Sequence, residues 1–130
     1  MRPAAFALFL AALPGAARAE GPSLSAEAFE RIVEGRTMNT HDLTGRYGVE
    51  TFLPGRRAIW RDAAQCLEGT WRPQGEMICF DYIGLATPFC WTYHDRGGWL
   101  EAWLDGDLTS DPIQLYPAET VVTCESFLGV

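Results

Sequence analysis

Both histidines of the chain precede an aspartate, as His41-Asp42 and His94-Asp95. Imidazole and carboxylate together are donors for a transition-metal ion. Neighbouring residues on a strand point to opposite faces, however, so neither pair chelates through both side chains, and a shared site would have to join the histidines from distant segments. Asp105-Gly106-Asp107 with Asp111 sets oxygen ligands around a tight turn, but without the twelve-residue loop and terminal bidentate Glu of a calcium hand. Turn chemistry accounts for these residues at lower cost. The expectation is therefore no metal and no other cofactor.

Nucleophilic catalysis has no foothold: Gly-x-Ser-x-Gly is absent, and no serine has a histidine nearby in sequence. A carboxylate pair of the kind that cleaves glycosides is set by fold rather than spacing, so it leaves no mark in a sequence. The four cysteines, Cys66, Cys79, Cys90 and Cys124, show no C-x2-C pair and fit two disulfides better than zinc.

Disulfides need an oxidising compartment, and the N-terminus supplies a route to one. Met1-Arg2 is followed by an apolar run from Ala4 to Leu13, a Pro14-Gly15 break and Ala17-Arg18-Ala19. This is the layout of a secretory signal, read as residues 1–19 with cleavage before Glu20, and its apolar run is well short of the roughly 20 residues of a membrane span. Nothing later is long and apolar enough to span a bilayer, so the remaining 20–130 are read as one disulfide-linked domain, periplasmic or secreted. Without Arg2 and Arg18 that domain has eight arginines, no lysine and seventeen carboxylates, a net charge of −9. Such a surface repels phosphate backbones, which argues against nucleic acid as a partner.

The elements that must carry these residues follow from period and punctuation. Ser25 is placed to cap a helix over 26–34, with Leu24, Ala28, Phe29, Ile32 and Val33 as its apolar stripe and Gly35 as its stop. From Arg36 onward short aromatic and β-branched runs alternate with turns at Pro54-Gly55, Pro73-Gln74-Gly75, Gly97-Gly98 and Asp105-Gly106-Asp107. The expected fold is mainly β: an antiparallel meander of seven or eight strands curled into a small partial or closed barrel, with the N-terminal helix against one opening or face.

Only pairings of one parity keep the apolar sets of successive strands on one face. Ile78, Phe80 and Tyr82 match Phe89, Trp91 and Tyr93 when the chain turns near Gly84-Leu85, which sets Cys79 opposite Cys90. The same rule adds Leu100, Ala102 and Leu104 on one side and Leu67, Gly69 and Trp71 on the other. A hairpin turning at Pro54-Gly55 contributes Tyr47, Val49, Thr51, Ala58 and Trp60, leaving Glu50 outside between Arg57 and Arg61. Cys66 and Cys124 then remain for each other, the latter near the end of a strand at Val121-Val122-Thr123-Cys124.

The runs Tyr47-Gly48-x-Glu50, Gly55-Arg56-Arg57-x-x-Trp60, Cys66-x-x-Gly69-x-Trp71, Ile78-Cys79-Phe80-x-Tyr82 and Cys90-Trp91 resemble a group of small exported bacterial proteins of unknown function, similar in style to DUF995-type domains. The likeness runs from Gly35 to about Trp91. It implies export, paired cysteines and a compact β domain, and no activity.

Five tryptophans remain to be placed. Trp60, Trp71 and Trp91 fall on the core face, where so many large rings favour a filled interior. Trp99 and Trp103 fall on the other face with Thr92, His94 and Glu101, a make-up suited to an interface anchor in a polar rim. The functional expectation is a non-enzymatic periplasmic binding protein that contacts an envelope protein through this surface. A barrel holding a small apolar ligand is the alternative, and a periplasmic hydrolase a more distant one.

Overall fold

A computed structural model describes residues 21–127 together with Met1, Pro3, Ala4 and Ala11. The export signal expected over residues 1–19 and its cleavage before Glu20 fall, those four residues apart, outside the described residues. The chain enters helix α1, Ala26–Val33. The Ser25 hydroxyl accepts from the Ala28 N–H at 3.1 Å, and Gly35 at φ 75° ends the helix in a conformation that glycine adopts without strain.

Eight strands follow: β1 Thr37–Asp42, β2 Gly45–Leu53, β3 Arg57–Asp62, β4 Cys66–Gln74, β5 Met77–Tyr82, β6 Phe89–Asp95, β7 Leu100–Leu104 and β8 Ile113–Ala118. Each pairs antiparallel with the next, and β8 pairs back to β1, so the meander closes into a barrel and leaves no edge. The expected register holds from β4 to β7: Trp71 faces Phe80, Cys79 faces Cys90, and Tyr93 faces Ala102. Both disulfides join the expected partners, Cys79 to Cys90 and Cys66 to Cys124.

In an up-and-down barrel, turns alternate between the two ends. The end holding the β2–β3, β4–β5 and β6–β7 turns is stopped by α1. Phe29 enters it fully buried, its ring 5.1 Å from Trp71, 5.7 Å from Phe52 and 4.4 Å from Tyr93. Backbone bonds from Leu24 N–H to the Tyr93 carbonyl and from Gly35 N–H to the Phe52 carbonyl fix the helix ends, and Glu30 pairs with Arg56 at 3.1 Å. The opposite end is left open.

Three expectations are corrected. The β2–β3 turn uses three residues, Pro54 to Arg56, because Leu53 pairs with Arg57 and Arg56 takes φ 55°. One residue more in the turn reverses the face of β2 from Gly48 onward: Gly48, Glu50 and Phe52 point inward with Ala58 and Trp60, while Val49 and Thr51 do not share that face. Val121 to Thr123 form no strand. They cross the outside of the barrel, the Val122 N–H donating to the Thr51 hydroxyl at 3.0 Å, and Cys124 begins the one-turn helix α2, Cys124–Phe127. Leu104 has the inward parity but sits at the open end, where it is exposed.

Candidate functional site

Inward side chains fill only the half of the barrel nearest α1. Trp71, Phe52, Phe80, Met38 and Leu100 pack there around Phe29. The expectation of a filled interior fails in the other half, where a cavity of about 210 Å³ opens toward the end opposite the helix. Eight strands give an interior just wide enough either to be filled by side chains or to hold one small ligand, and this barrel does the first below and the second above.

Each wall strand contributes by its inward parity. Trp60 and Asp62 come from β3, Leu67 from β4, Phe80 and Tyr82 from β5, Phe89, Trp91 and Tyr93 from β6, Ile113 and Leu115 from β8, with Thr40 from β1 and Glu50 from β2. Tyr47 joins them because the β1–β2 register shifts between Thr40 and His41. A bulge of this kind re-aims a side chain, and here it brings the Tyr47 ring to 5.6 Å from Trp60. Gly48 is required for that wall: a β-carbon on it would overlap the Trp60 ring.

Glu50 is a buried carboxyl of the cavity wall, 6% exposed. Tyr82 donates its hydroxyl to Oε1 at 2.5 Å, and Oε2 has no hydrogen-bond partner among the described residues, so it is left to the cavity. Burial pushes the carboxyl up to about 7, against the opposing effect of the Tyr82 bond. Asp62 differs. Partial burial works to raise it, but bonds from the Trp60 indole N–H to Oδ2 and from the Ala64 and Gln65 N–H groups to Oδ1 outweigh that and hold it below its ordinary value. Burial also raises the Tyr47, Tyr82 and Tyr93 hydroxyls, so all three stay protonated at neutral pH. Among the described residues, no lysine, arginine or histidine lines the cavity.

The turns at the open end add an apolar rim. Leu43 and Ile83 are each 76% exposed, and Leu85, Phe89, Leu104 and Leu108 are exposed with them.

The residues expected to form an interface are brought together on the outer face of β6 and β7, as their parity required. Thr92 faces Trp103, and His94 faces Glu101. They do not project into solvent as anchors: Trp103 is 7% exposed, and Thr92 and His94 are buried too. The His94 ring meets Trp103 edge-on at 5.3 Å, the Arg96 guanidinium lies 5.8 Å over the same ring and bonds Glu101 at 2.9 Å, and Trp99 stacks on Tyr116 at 5.5 Å. The other histidine, His41, sits edge-on to Tyr116. Asp42 and Asp107 are occupied by Thr44 and Thr109 at their turns.

Sequence reasoning placed Trp60, Trp91, Phe80 and Tyr82 on the right face but missed Glu50. The one hint was Phe52, which shares the parity of Glu50, and it was offset by apolar Val49 at the opposite parity. Barrel and cavity define a closed, single-ended β-barrel with an accessible interior. No family model, curated protein or solved structure matches the chain.

Proposed function

We propose that the chain is a non-enzymatic binding protein, exported to the periplasm, whose barrel takes one small ring-sized molecule through its open end. The cavity carries this reading. A void of about 150 Å³ walled by apolar side chains already accepts benzene, so about 210 Å³ accommodates one ring with a short substituent. The exposed leucines and Ile83 around the mouth support it, since apolar surface left in water at a portal is covered when a ligand arrives. Export rests on the signal-like N-terminus and is compatible with the two disulfides. No helix among the described residues is long and apolar enough to cross a membrane.

An envelope protein held at Trp99 and Trp103 has less support, because Trp103, His94 and Thr92 are buried within the chain's own fold. A hydrolase draws on Glu50 and Asp62, two carboxyls whose surroundings push them apart in acidity, the pattern of an acid and its partner base. Both Asp62 oxygens, however, are engaged by Trp60 and the β3–β4 turn. The binding reading is tested by saturation-transfer NMR on the purified, disulfide-bonded chain with a panel of single-ring solutes. Transfer to at least one solute is expected, and Ile113→Trp, which fills the mouth, should abolish it while the thermal midpoint stays within a few degrees. Transfer to none, or transfer unaffected by Ile113→Trp, would overturn the reading.

A further inference from the structure

We propose that the ligand is a small organic cation, an ammonium borne on a ring or short apolar group, held with its charge between the free oxygen of Glu50 and the surrounding aromatic faces. The inference rests on the cavity being a binding site and adds the class of molecule it selects.

Three observations converge on it. First, the charges of the lining are of one sign: Glu50 and Asp62 are its ionisable acids, and among the described residues no basic side chain lines it. An anion entering would meet one or two negative charges in a space poor in water. Second, Glu50 presents Oε2, which has no hydrogen-bond partner among the described residues, to a largely apolar space, a position in which a carboxyl lacks a counter-charge. An ammonium supplies both the charge and the N–H donors. Third, Tyr47, Trp60, Tyr82, Trp91 and Tyr93 come from four different strands to ring the same space. The π-face of each attracts a cation within about 6 Å, and the attraction strengthens where water is excluded. A neutral ring would gain the apolar contacts alone and leave Oε2 unsatisfied.

The electrostatics add a pH signature. The titratable groups that share the cavity with Glu50 are Tyr47 on its own strand, Asp62 from β3, Tyr82 from β5 and Tyr93 from β6; the tyrosines remain neutral and Asp62 remains ionised through the neutral range. Glu50 is the lining group that changes charge there, with its midpoint at about 7. A bound cation favours the carboxylate, so binding releases a proton from Glu50 and tightens as pH rises through 7.

Benzylamine, benzyl alcohol and benzoate share one ring and differ in charge, and each keeps its charge state between pH 5.5 and 8. Their dissociation constants for the full chain with both disulfides formed, read from tryptophan fluorescence or calorimetry, decide the matter. At pH 8 benzylamine is expected to bind at least tenfold more tightly than benzyl alcohol, and benzoate not measurably. Benzylamine alone should weaken by about tenfold or more at pH 5.5. Glu50→Gln should bring benzylamine down to the level of benzyl alcohol and remove its pH dependence; the wild-type pH profile gives the same information if that variant fails to fold. Benzyl alcohol or benzoate binding as tightly as benzylamine would overturn the cation and leave the binding barrel standing. Binding of none of the three by folded protein would overturn both.

Discussion

A carboxyl buried in an apolar barrel stabilises the fold only while it is protonated. Glu50 titrates at about 7 in the folded chain against 4.5 in water. Below 4.5 the group is neutral in both states and costs nothing. Between 4.5 and 7 the unfolded chain ionises while the folded chain holds its proton, so stability falls as pH rises, and above 7 the loss is complete at roughly 3 kcal/mol. Glu50→Gln keeps an acceptor for Tyr82 and removes the titration. Thermal melts should therefore show the variant several degrees more stable than wild type at pH 8 and nearly equal at pH 4.5; a variant less stable at pH 8 would show that the charge is compensated. Placing Glu50 was hard from sequence for a physical reason: binary patterning sends an ionisable residue outward, and the functional or strained positions that break the pattern carry no mark of their own in the spacing.

At the scale of elements, the helix and its capping Ser25 were legible, as were β4 to β7, because their alternation is clean and their turns have the expected parity. The hairpin of β2 and β3 was not. Both faces of β2 are covered, the inner by the barrel and the outer by the segment around Val122, so apolar Val49 and Phe52 on opposite faces cannot say which way is in. The decision fell to turn length, and Arg56 in a left-handed conformation is an unusual choice that reads as the first residue of a strand. The terminal Val121-Val122 pair misled in the same way: Val122 is buried, but against the outside of an already closed sheet, and Val121 is exposed. The plug admits a direct test. Phe29 is fully enclosed by aromatic partners, so Phe29→Ala should cost about 3 to 5 kcal/mol in urea denaturation. A loss under 1 kcal/mol would mean that α1 is an accessory and not a structural stopper.

At the scale of the molecule, closure gives a short chain a fold without an edge, and two cross-links hold it: Cys79 to Cys90 within one hairpin and Cys66 to Cys124 binding the C-terminal segment to β4. With one end stopped by α1 and the other open, access to the interior has a direction. Barrel and cysteine pairing could be read from turn spacing and parity; the cavity could not, since whether large rings fill a barrel or line a void depends on where along its axis they fall. Trp71 lies at the plugged end and is core, whereas Trp60 and Trp91 lie nearer the mouth and form walls. The most direct measurement is the set of tryptophan indole resonances in a 15N correlation spectrum during a benzylamine titration at pH 8. Movement of the Trp60 and Trp91 signals, with Trp99 and Trp103 still, is the predicted result; movement of Trp99 and Trp103 with Trp60 and Trp91 still would contradict the account and return the site to the outer face of β6 and β7.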